Sequence, residues 1–228
     1  FFQRCHDQMI HDVCMQDLPV VFLLDRAGIG SNDGPTHHGV FDFAQLLPIP
    51  NMQVLAPCDQ WELKAMLNWT LTQKHPCAIR YARTAPDIDR ECRAFFPGKW
   101  SYIKKGKDCA LLCVGTMVRL GIEIYKILLE HGIQADLINC SSVKPLDVEM
   151  LSNINKPFFT LEEHMIVGGF GNYVLQHCLE AGLQMPIKCF GLQQEYITHG
   201  NHDELMKLAG LSSEKISDDI LQCLGKVQ

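Results

Sequence analysis

The apolar run VVFLL at residues 20–24 leads directly into DRAGIGSNDGPTHHG at residues 25–39. A short run rich in strand formers, apolar at every position, predicts a strand covered on both faces, as in a parallel sheet. The fifteen residues after it contain four glycines and two adjacent histidines, so they predict a loop. Ligands of open parallel sheets bind beyond the carboxyl ends of the strands, which makes this loop the first candidate site.

The same alternation continues along the chain and predicts an α/β fold of two tandem parallel-sheet units. Further strands are predicted at residues 53–56, 77–81, 109–114, 135–138, 158–161 and 187–190. Helices are predicted from Asp59, as N-cap, to about residue 73, from 115–116 to about 131–132, and from 214 to 224. Residues 84–107 lose the periodicity and predict a connector, so we divide the chain into 1–97 and 98–228. Three strands precede the connector, and we expect the first unit to lack its front.

Composition excludes several classes of protein. The chain has 228 residues, a net charge of −6 and 47% hydrophobic residues, typical of a folded protein without nucleic-acid partners. No apolar run approaches the roughly 20 residues of a membrane helix, and the opening residues show no secretion signal. The eleven cysteines stand singly, which favours free thiols in a reducing compartment over a disulfide framework or a zinc site. We expect a cytoplasmic protein that contacts no membrane.

The loop at residues 25–39 contains residue types that can carry chemistry. Arg26 offers a guanidinium fork for phosphate or carboxylate, and His37 can move protons near neutral pH. Asp33 adds a carboxylate, and the glycines allow close approach of the backbone. A long solvated loop with a surface histidine pair remains the alternative interpretation.

A second loop, after the third predicted strand, is also a candidate for binding an anion. Arg80 and Arg83 lie at its carboxyl end, and loops after neighbouring strands of a parallel sheet meet at one crevice. Arg26 and Arg83 could then hold one anion from two sides. Two surface arginines in unrelated ion pairs remain the alternative.

Two further clusters give weaker indications. EEHMIVGGFG at residues 162–171 has a strand, acidic residues and a glycine-rich turn, but it lacks the G-x-G-x-x-G pattern of a phosphate-binding loop. We expect a tight turn with close helix packing there. His199 and His202 lie three residues apart without an evident third ligand, so we assign them no metal.

Taken together, these motifs resemble the thiamine-diphosphate-dependent transketolase family. The resemblance rests on D-R-A-G with D-G-P-T-H-H-G, P-N-M-x-V-x-A-P at 50–57, R-Y-x-R at 80–83, K-P-L-D at 144–147, the E-E and G-G-F-G cluster, Y-I-T-H-G at 196–200 and A-G-L at 209–211. The motifs run in order over nearly the whole chain. The resemblance implies that residues 1–97 are part of a pyrimidine-binding domain and that residues 98–228 are the family's C-terminal domain.

The resemblance also implies an activity. It points to the condensation of pyruvate with glyceraldehyde 3-phosphate, with loss of CO2, on the route to isoprenoids and thiamine. Thiamine diphosphate and Mg2+ would be the cofactors, held mainly by a diphosphate-binding domain that this chain lacks. We therefore expect the chain alone to be inactive, and to need a missing N-terminal half or a partner subunit. The complete protein would be a homodimer in the cytoplasm, or in the plastid stroma of a plastid-bearing organism.

Residue roles follow from the same resemblance. Phe1 matches the aromatic residue that stacks on the cofactor's pyrimidine ring, and Arg4 an arginine that faces the same pocket. Two arginines, Arg26 and Arg83, match the residues that hold the aldehyde's phosphate. The remaining matches are the catalytic candidates Asp33 and His37, with His37 transferring protons or binding a hydroxyl group. Two other readings remain open: a transketolase-like or ketoacid dehydrogenase β-type subunit, and a non-catalytic association module.

Overall fold

The structure is a computed structural model that describes residues 2–30, 33–83 and 95–226. Phe1 and much of the predicted connector, residues 84–94, therefore lie outside the described residues. Within the described part, no helix combines the length and the apolar character needed to cross a membrane.

Strands and helices alternate along most of the described chain. The strands are β1 (Val21–Leu24), β2 (Gln53–Leu55), β3 (Cys77–Arg80), β4 (Ser101–Lys104), β5 (Cys109–Cys113), β6 (Ala135–Asn139), β7 (Ser142–Lys144), β8 (Phe158–Met165) and β9 (Ile187–Leu192). The helices are α1 (His6–Gln8), α2 (Asp42–Leu46), α3 (Gln60–Thr70), α4 (Met117–Glu130), α5 (Val148–Ser152), α6 (Phe170–Glu180), α7 (His202–Leu208) and α8 (Ser213–Cys223). A 3-10 turn at Phe2–Cys5 precedes α1, and a π-helical stretch at Met9–Cys14 follows it.

The first sheet has the strand order β1-β3-β2-β7. β3 lies in the middle, is buried at every position and pairs in parallel with both β1 and β2. The prediction that the run at residues 20–24 is covered on both faces is wrong, because β1 lies at the edge of the described sheet and Leu23 is 51% exposed. The predicted parallel sheet is confirmed for β1, β3 and β2, and β7 adds an antiparallel edge strand beside β2, with Val54 opposite Lys144. β7 comes from the second half of the chain, so the two halves share this sheet.

The second sheet has the order β4-β6-β5-β8-β9, and β6, β5, β8 and β9 run parallel. β4 is antiparallel to β6 and lies inside the predicted connector, so that prediction is wrong for Ser101–Lys104. An edge strand of mixed polarity has no strong pattern of its own, and it is fixed here by pairing with β6.

Local signals in the sequence explain how two of the helices begin and end. Asp59 caps α3 as predicted, because its Oδ1 accepts the Glu62 N–H at 2.7 Å. α3 ends at Thr70, earlier than residue 73. Gly132 follows α4 with a φ of 76°, the left-handed conformation that favours glycine after a helix.

One apolar core joins the two halves of the chain. Phe43 from α2, Phe158 from β8 and Phe170 from α6 belong to the same buried cluster, as does Val143 from β7. Burying a phenylalanine side chain contributes about 1.5–3 kcal/mol, so these contacts stabilise the arrangement of the two sheets. Ile29 of the loop at residues 25–39 belongs to a second buried cluster with Leu161 and Met165 of β8, so the loop also packs against the second half of the chain.

Candidate functional site

The two loops predicted to converge do lie side by side. β1 and β3 are adjacent, with Leu24 opposite Arg80, so the segments that follow them leave the sheet together. The Ala27 N–H donates to the Tyr81 carbonyl at 3.0 Å, which extends the pairing beyond the strands. Arg26 and Arg83 flank this hydrogen bond, one on each segment.

Asp33 joins the two arginines. Arg26 Nη1 donates to Asp33 Oδ2 at 2.8 Å, and Arg83 Nη1 lies 3.8 Å from the same oxygen. The side chains of Arg26 and Asp33 are 37% and 33% exposed and that of Arg83 is 69% exposed, so the cluster faces solvent. The arginines therefore do not serve unrelated surface ion pairs, because they point at one carboxylate.

The backbone at Arg26 is held in an uncommon conformation. Its φ of 63° lies in the left-handed region, which costs a non-glycine residue on the order of 1 kcal/mol or more. Its N–H donates to the Asp25 carboxylate at 2.7 Å. Two reciprocal hydrogen bonds of 2.9 Å between Gly28 and Gly39 close the base of the loop. Residues 28 and 39, which we call the loop neck, thus keep Arg26 in place.

The two adjacent histidines have different environments. His38 is buried; its Nδ1 accepts the Gly30 N–H at 2.8 Å, so Nε2 carries the proton and faces the carbonyl groups of Ile197 and Thr198 at 3.2 and 3.3 Å. This contact joins the loop to the Y-I-T-H-G segment. His37 is half-buried, with its Nδ1 2.9 Å from the Thr36 hydroxyl.

Glu163 on β8 connects the loop to the second half of the chain. Its carboxylate is 4% exposed and accepts hydrogen bonds from the Ile29 N–H at 2.6 Å and the Thr116 hydroxyl at 3.1 Å. His202 Nε2 lies 3.0 Å from Glu163 Oε1, and this hydrogen bond raises the pKa of His202 to about 9. Glu163 and His202 are 39 residues apart, so their pairing is not predictable from spacing, although the E-E and histidine motifs contain both residues.

Arg80 links the loop neck to β8 through hydrogen bonds. Its Nε donates to Asp42 at 3.1 Å, and its Nη2 donates to the carbonyl groups of Gly39 and Glu163 at 2.6 and 2.9 Å. The guanidinium also lies 4.5 Å from the centre of the Phe43 ring. Arg80 is 5% exposed, so it is a buried structural cation and not a ligand-binding one.

The E-E and G-G-F-G cluster forms the expected tight turn. Glu162 is buried and accepts the N–H groups of Phe170 and Gly171 at 2.7 and 2.8 Å, so a protein carboxylate fills the start of α6. Burial raises the pKa of Glu162 to about 8 despite these bonds. Burial also lowers the pKa of His164 to about 3, and its Nε2 accepts the Phe43 N–H at 3.0 Å.

A cleft of about 950 Å³ extends from the arginines between the two halves of the chain. Its lining includes Arg26, Ile29, Arg83, Thr116, Arg119, Glu163, His202 and Lys207. Asp33 and His37 stand at the loop beside it. Arg4 is exposed in the turn at Phe2–Cys5 and is not among the described residues that line the cleft. Phe1 lies outside the described residues.

Metal binding requires several ligating side chains close together. No group of three histidine, cysteine, aspartate or glutamate side chains in residues 2–30, 33–83 and 95–226 could hold an ion. The resemblance implied that Mg2+ and the diphosphate are held mainly outside this chain, and the described residues offer no such cluster.

Two α/β units that share a core, with charged loops beyond the carboxyl ends of one sheet, define the class of protein. The family model "Transketolase, pyrimidine binding domain" matches residues 1–87, and "Transketolase, C-terminal domain" matches residues 98–216. The chain therefore belongs to the transketolase family.

Within this family, the chain is similar to 1-deoxy-D-xylulose-5-phosphate synthases. The chain is 40% identical to the 1-deoxy-D-xylulose-5-phosphate synthase of Clostridium tetani and 42% identical to that of Pelotomaculum thermopropionicum, over 98% and 97% of its own length. It spans 37% and 36% of those two proteins.

Solved structures support the fold. A protein described as "Split gene transketolase, inactive beta4 tetramer" superposes with a TM-score of 0.89 and 26% identity, over 99% of this chain and 73% of that one. A transketolase from Pichia stipitis superposes with a TM-score of 0.74 at 19% identity, over 93% of this chain and 31% of that one. The second likeness concerns the fold alone.

Proposed function

We propose that the chain is the aldehyde-binding part of a 1-deoxy-D-xylulose-5-phosphate synthase. That enzyme would be a thiamine-diphosphate-dependent transferase that condenses pyruvate with glyceraldehyde 3-phosphate, with loss of CO2, and so supplies isoprenoid and thiamine precursors. Identities near 40% to such synthases, against 26% to the split transketolase, favour this function over the transketolase-like alternative. Because the chain spans little more than a third of those relatives, we expect it to be inactive by itself.

The observation that carries the proposal is the convergence of Arg26 and Arg83 on Asp33 Oδ2, at 2.8 and 3.8 Å. Among these three side chains, two guanidinium groups share one carboxylate. A phosphate dianion offers more oxygen acceptors and more charge than a carboxylate, so it competes well for both forks. We assign the phosphate of the aldehyde to this pair, which would orient the carbonyl group for attack by proximity.

The remaining site residues are assigned by their place in the loop. Asp33 would release the arginines when phosphate binds and then face the substrate's hydroxyl groups. His37 would transfer a proton to or from the substrate or bind its hydroxyl, because its ring is partly open to solvent whereas His38 is used internally. Phe1 and Arg4 would contact the pyrimidine ring of thiamine diphosphate. Support for these two is the resemblance alone.

Cofactor and partners follow from the family. Thiamine diphosphate would supply a nucleophilic carbon, and its diphosphate and Mg2+ would be held mainly outside this chain. Residues 1–97 would act as pyrimidine-binding domain and residues 98–228 as C-terminal domain, in a complete enzyme that is a homodimer. The ten described cysteines are free, which supports a reducing compartment such as the cytoplasm or plastid stroma.

The test is a reconstitution. Pyruvate, glyceraldehyde 3-phosphate, thiamine diphosphate and Mg2+ are added to the chain, with and without the portion of a synthase that it does not span. We expect turnover only with both parts present. Turnover by the 228-residue chain alone would refute the expected inactivity, and no turnover in a properly associated mixture would refute the synthase assignment.

A further inference from the structure

A buried carboxylate, Glu163, stands behind the arginine pair without touching it. We propose that Glu163, charge-paired with His202, is a positioning residue that fixes Arg26 for phosphate binding. The inference rests on the proposed function, because it takes Arg26 and Arg83 as the phosphate ligands. Its basis is a chain of contacts from β8 to the loop neck.

The first contact is made by the side chain. Glu163 Oε1 accepts the Ile29 N–H at 2.6 Å, immediately after the loop neck. Gly28 lies against the same carboxylate so closely that a Cβ atom there would collide with it. Its φ of 83° also favours glycine. The backbone at Gly28 and Ile29 is therefore seated directly on the Glu163 side chain.

The second contact is made by the Glu163 backbone. Its carbonyl accepts Arg80 Nη2 at 2.9 Å, and the same nitrogen donates to the Gly39 carbonyl at 2.6 Å. Gly28 and Gly39 are hydrogen-bonded to each other, so one residue of β8 reaches both strands of the loop neck. Displacing Glu163 would loosen both.

Arg26 and Arg83 each lie two residues along the chain from backbone that is hydrogen-bonded at or next to the loop neck. Arg26 precedes Gly28 by two positions, and Ala27 between them is bonded to Tyr81, which precedes Arg83 by two. The separation of the two guanidinium groups thus depends on how the neck is seated. Coupling through such packed networks changes affinity by about two- to thirtyfold.

His202 allows a carboxylate to be buried at this point. Its Nε2 faces Glu163 at 3.0 Å, and its Nδ1 faces the exposed Asp203 carboxylate at 3.2 Å. Both ring nitrogens therefore have acceptors, which favours the imidazolium. The imidazolium gives the buried Glu163 carboxylate a hydrogen-bonded cation, and burying a carboxylate without such a partner is costly.

The experiment measures binding of glycerol 3-phosphate, a non-reacting phosphate ester, to the 228-residue chain. NMR signals of the Arg26 and Arg83 side chains are followed at constant ionic strength. We expect Glu163→Gln to weaken binding about tenfold, within the range for such coupling. Glu204→Gln, an exposed carboxylate in the same first turn as His202, is the matched control and should not change the affinity.

A double-mutant comparison separates positioning from general damage. If Glu163 acts through Arg26, then Glu163→Gln should add nothing once Arg26→Ala is present, because the positioned group is gone. His202→Gln, which keeps a donor but loses the charge at a partly exposed site, is the milder variant should Glu163→Gln not fold. It should weaken binding about threefold and be equally non-additive.

Unchanged affinity in Glu163→Gln or His202→Gln, alongside weaker binding in Arg83→Ala, would overturn this inference and leave the proposed function standing. Additive effects in the Arg26→Ala background would also overturn it. No saturable shift of the two arginines in the unaltered chain would contradict the proposed function, and the inference with it.

Discussion

Arg26 Nη1 and Asp33 Oδ2 lie 2.8 Å apart, and Arg83 approaches the same carboxylate oxygen from the segment after β3. Asp33 therefore stands where an anion is attracted by both arginines. Neither arginine is buried, so each contact is screened by water, and the strength of the site comes from two forks acting on one group.

Arg83→Ala is expected to raise KM for glyceraldehyde 3-phosphate about tenfold in the complete enzyme and to leave KM for pyruvate unchanged. A charge-assisted hydrogen bond contributes about 1.5–3 kcal/mol, and the exposure of Arg83 favours the lower end. Steady-state kinetics with each substrate varied would measure this. Lys215→Ala, an exposed cation on α8, is the control. An unchanged KM for the aldehyde would remove Arg83 from the site.

His37→Ala is expected to lower kcat by roughly 10²–10⁴-fold if the imidazole transfers protons. Its neighbour gives the contrast. His38→Ala should mainly lower the free energy of unfolding, by about 1–3 kcal/mol, because it leaves the half-buried Gly30 N–H without its acceptor. Kinetics and denaturant unfolding of both variants distinguish the roles. A kcat for His37→Ala close to that of the unaltered enzyme would contradict the assignment.

Gly28→Ala and Gly132→Ala test the contact between the loop neck and Glu163. Both glycines have positive φ, 83° and 76°, so alanine costs about 1–2 kcal/mol of strain at either position. A Cβ at Gly28 also meets the Glu163 carboxylate, whereas nothing lies within 4 Å at Gly132. We expect Gly28→Ala to lose about 1–3 kcal/mol more. Equal losses in denaturant unfolding would show that the neck is not packed on Glu163.

The pH dependence of stability should reveal the ion pair between His202 and Glu163. The pKa of His202 is raised from 6.5 to about 9 by the hydrogen bond with Glu163, so the folded state binds the proton more tightly. Its contribution is complete below pH 6.5 and is lost as pH rises through 9. The difference in unfolding free energy between the unaltered chain and His202→Gln should therefore shrink over that interval. A difference that stays constant from pH 6 to 10 would contradict the pairing.

Much of the fold is predictable from apolar runs that are buried at every position. β5 is of this kind, and the cap at Asp59 is a local signal. β4 and β7 are not predictable in this way, because they are short edge strands of mixed polarity that exist through their partners. Both are antiparallel edge strands added to the parallel strands that the alternation of the sequence predicted.

The candidate site divides along a similar line. Arg26 and Arg83 could be placed together from the sequence, because each follows one of two neighbouring parallel strands. Glu163 and His202 could not, since their contact depends on how the second half of the chain packs on the loop. The resemblance singled out His37, but residue type alone does not separate it from His38, and the packing of His38 against Ile197 shows that the His38 ring is internal.

The most direct test of the central claim compares glyceraldehyde 3-phosphate with glyceraldehyde as acceptor in the complete enzyme. The ratio of their kcat/KM values isolates what the phosphate contributes, because the reacting carbonyl group is the same. We expect replacement of both Arg26 and Arg83 by alanine to abolish most of the preference for the phosphorylated aldehyde, while leaving kcat/KM for glyceraldehyde nearly unchanged. A preference that survives both substitutions would show that the phosphate binds elsewhere.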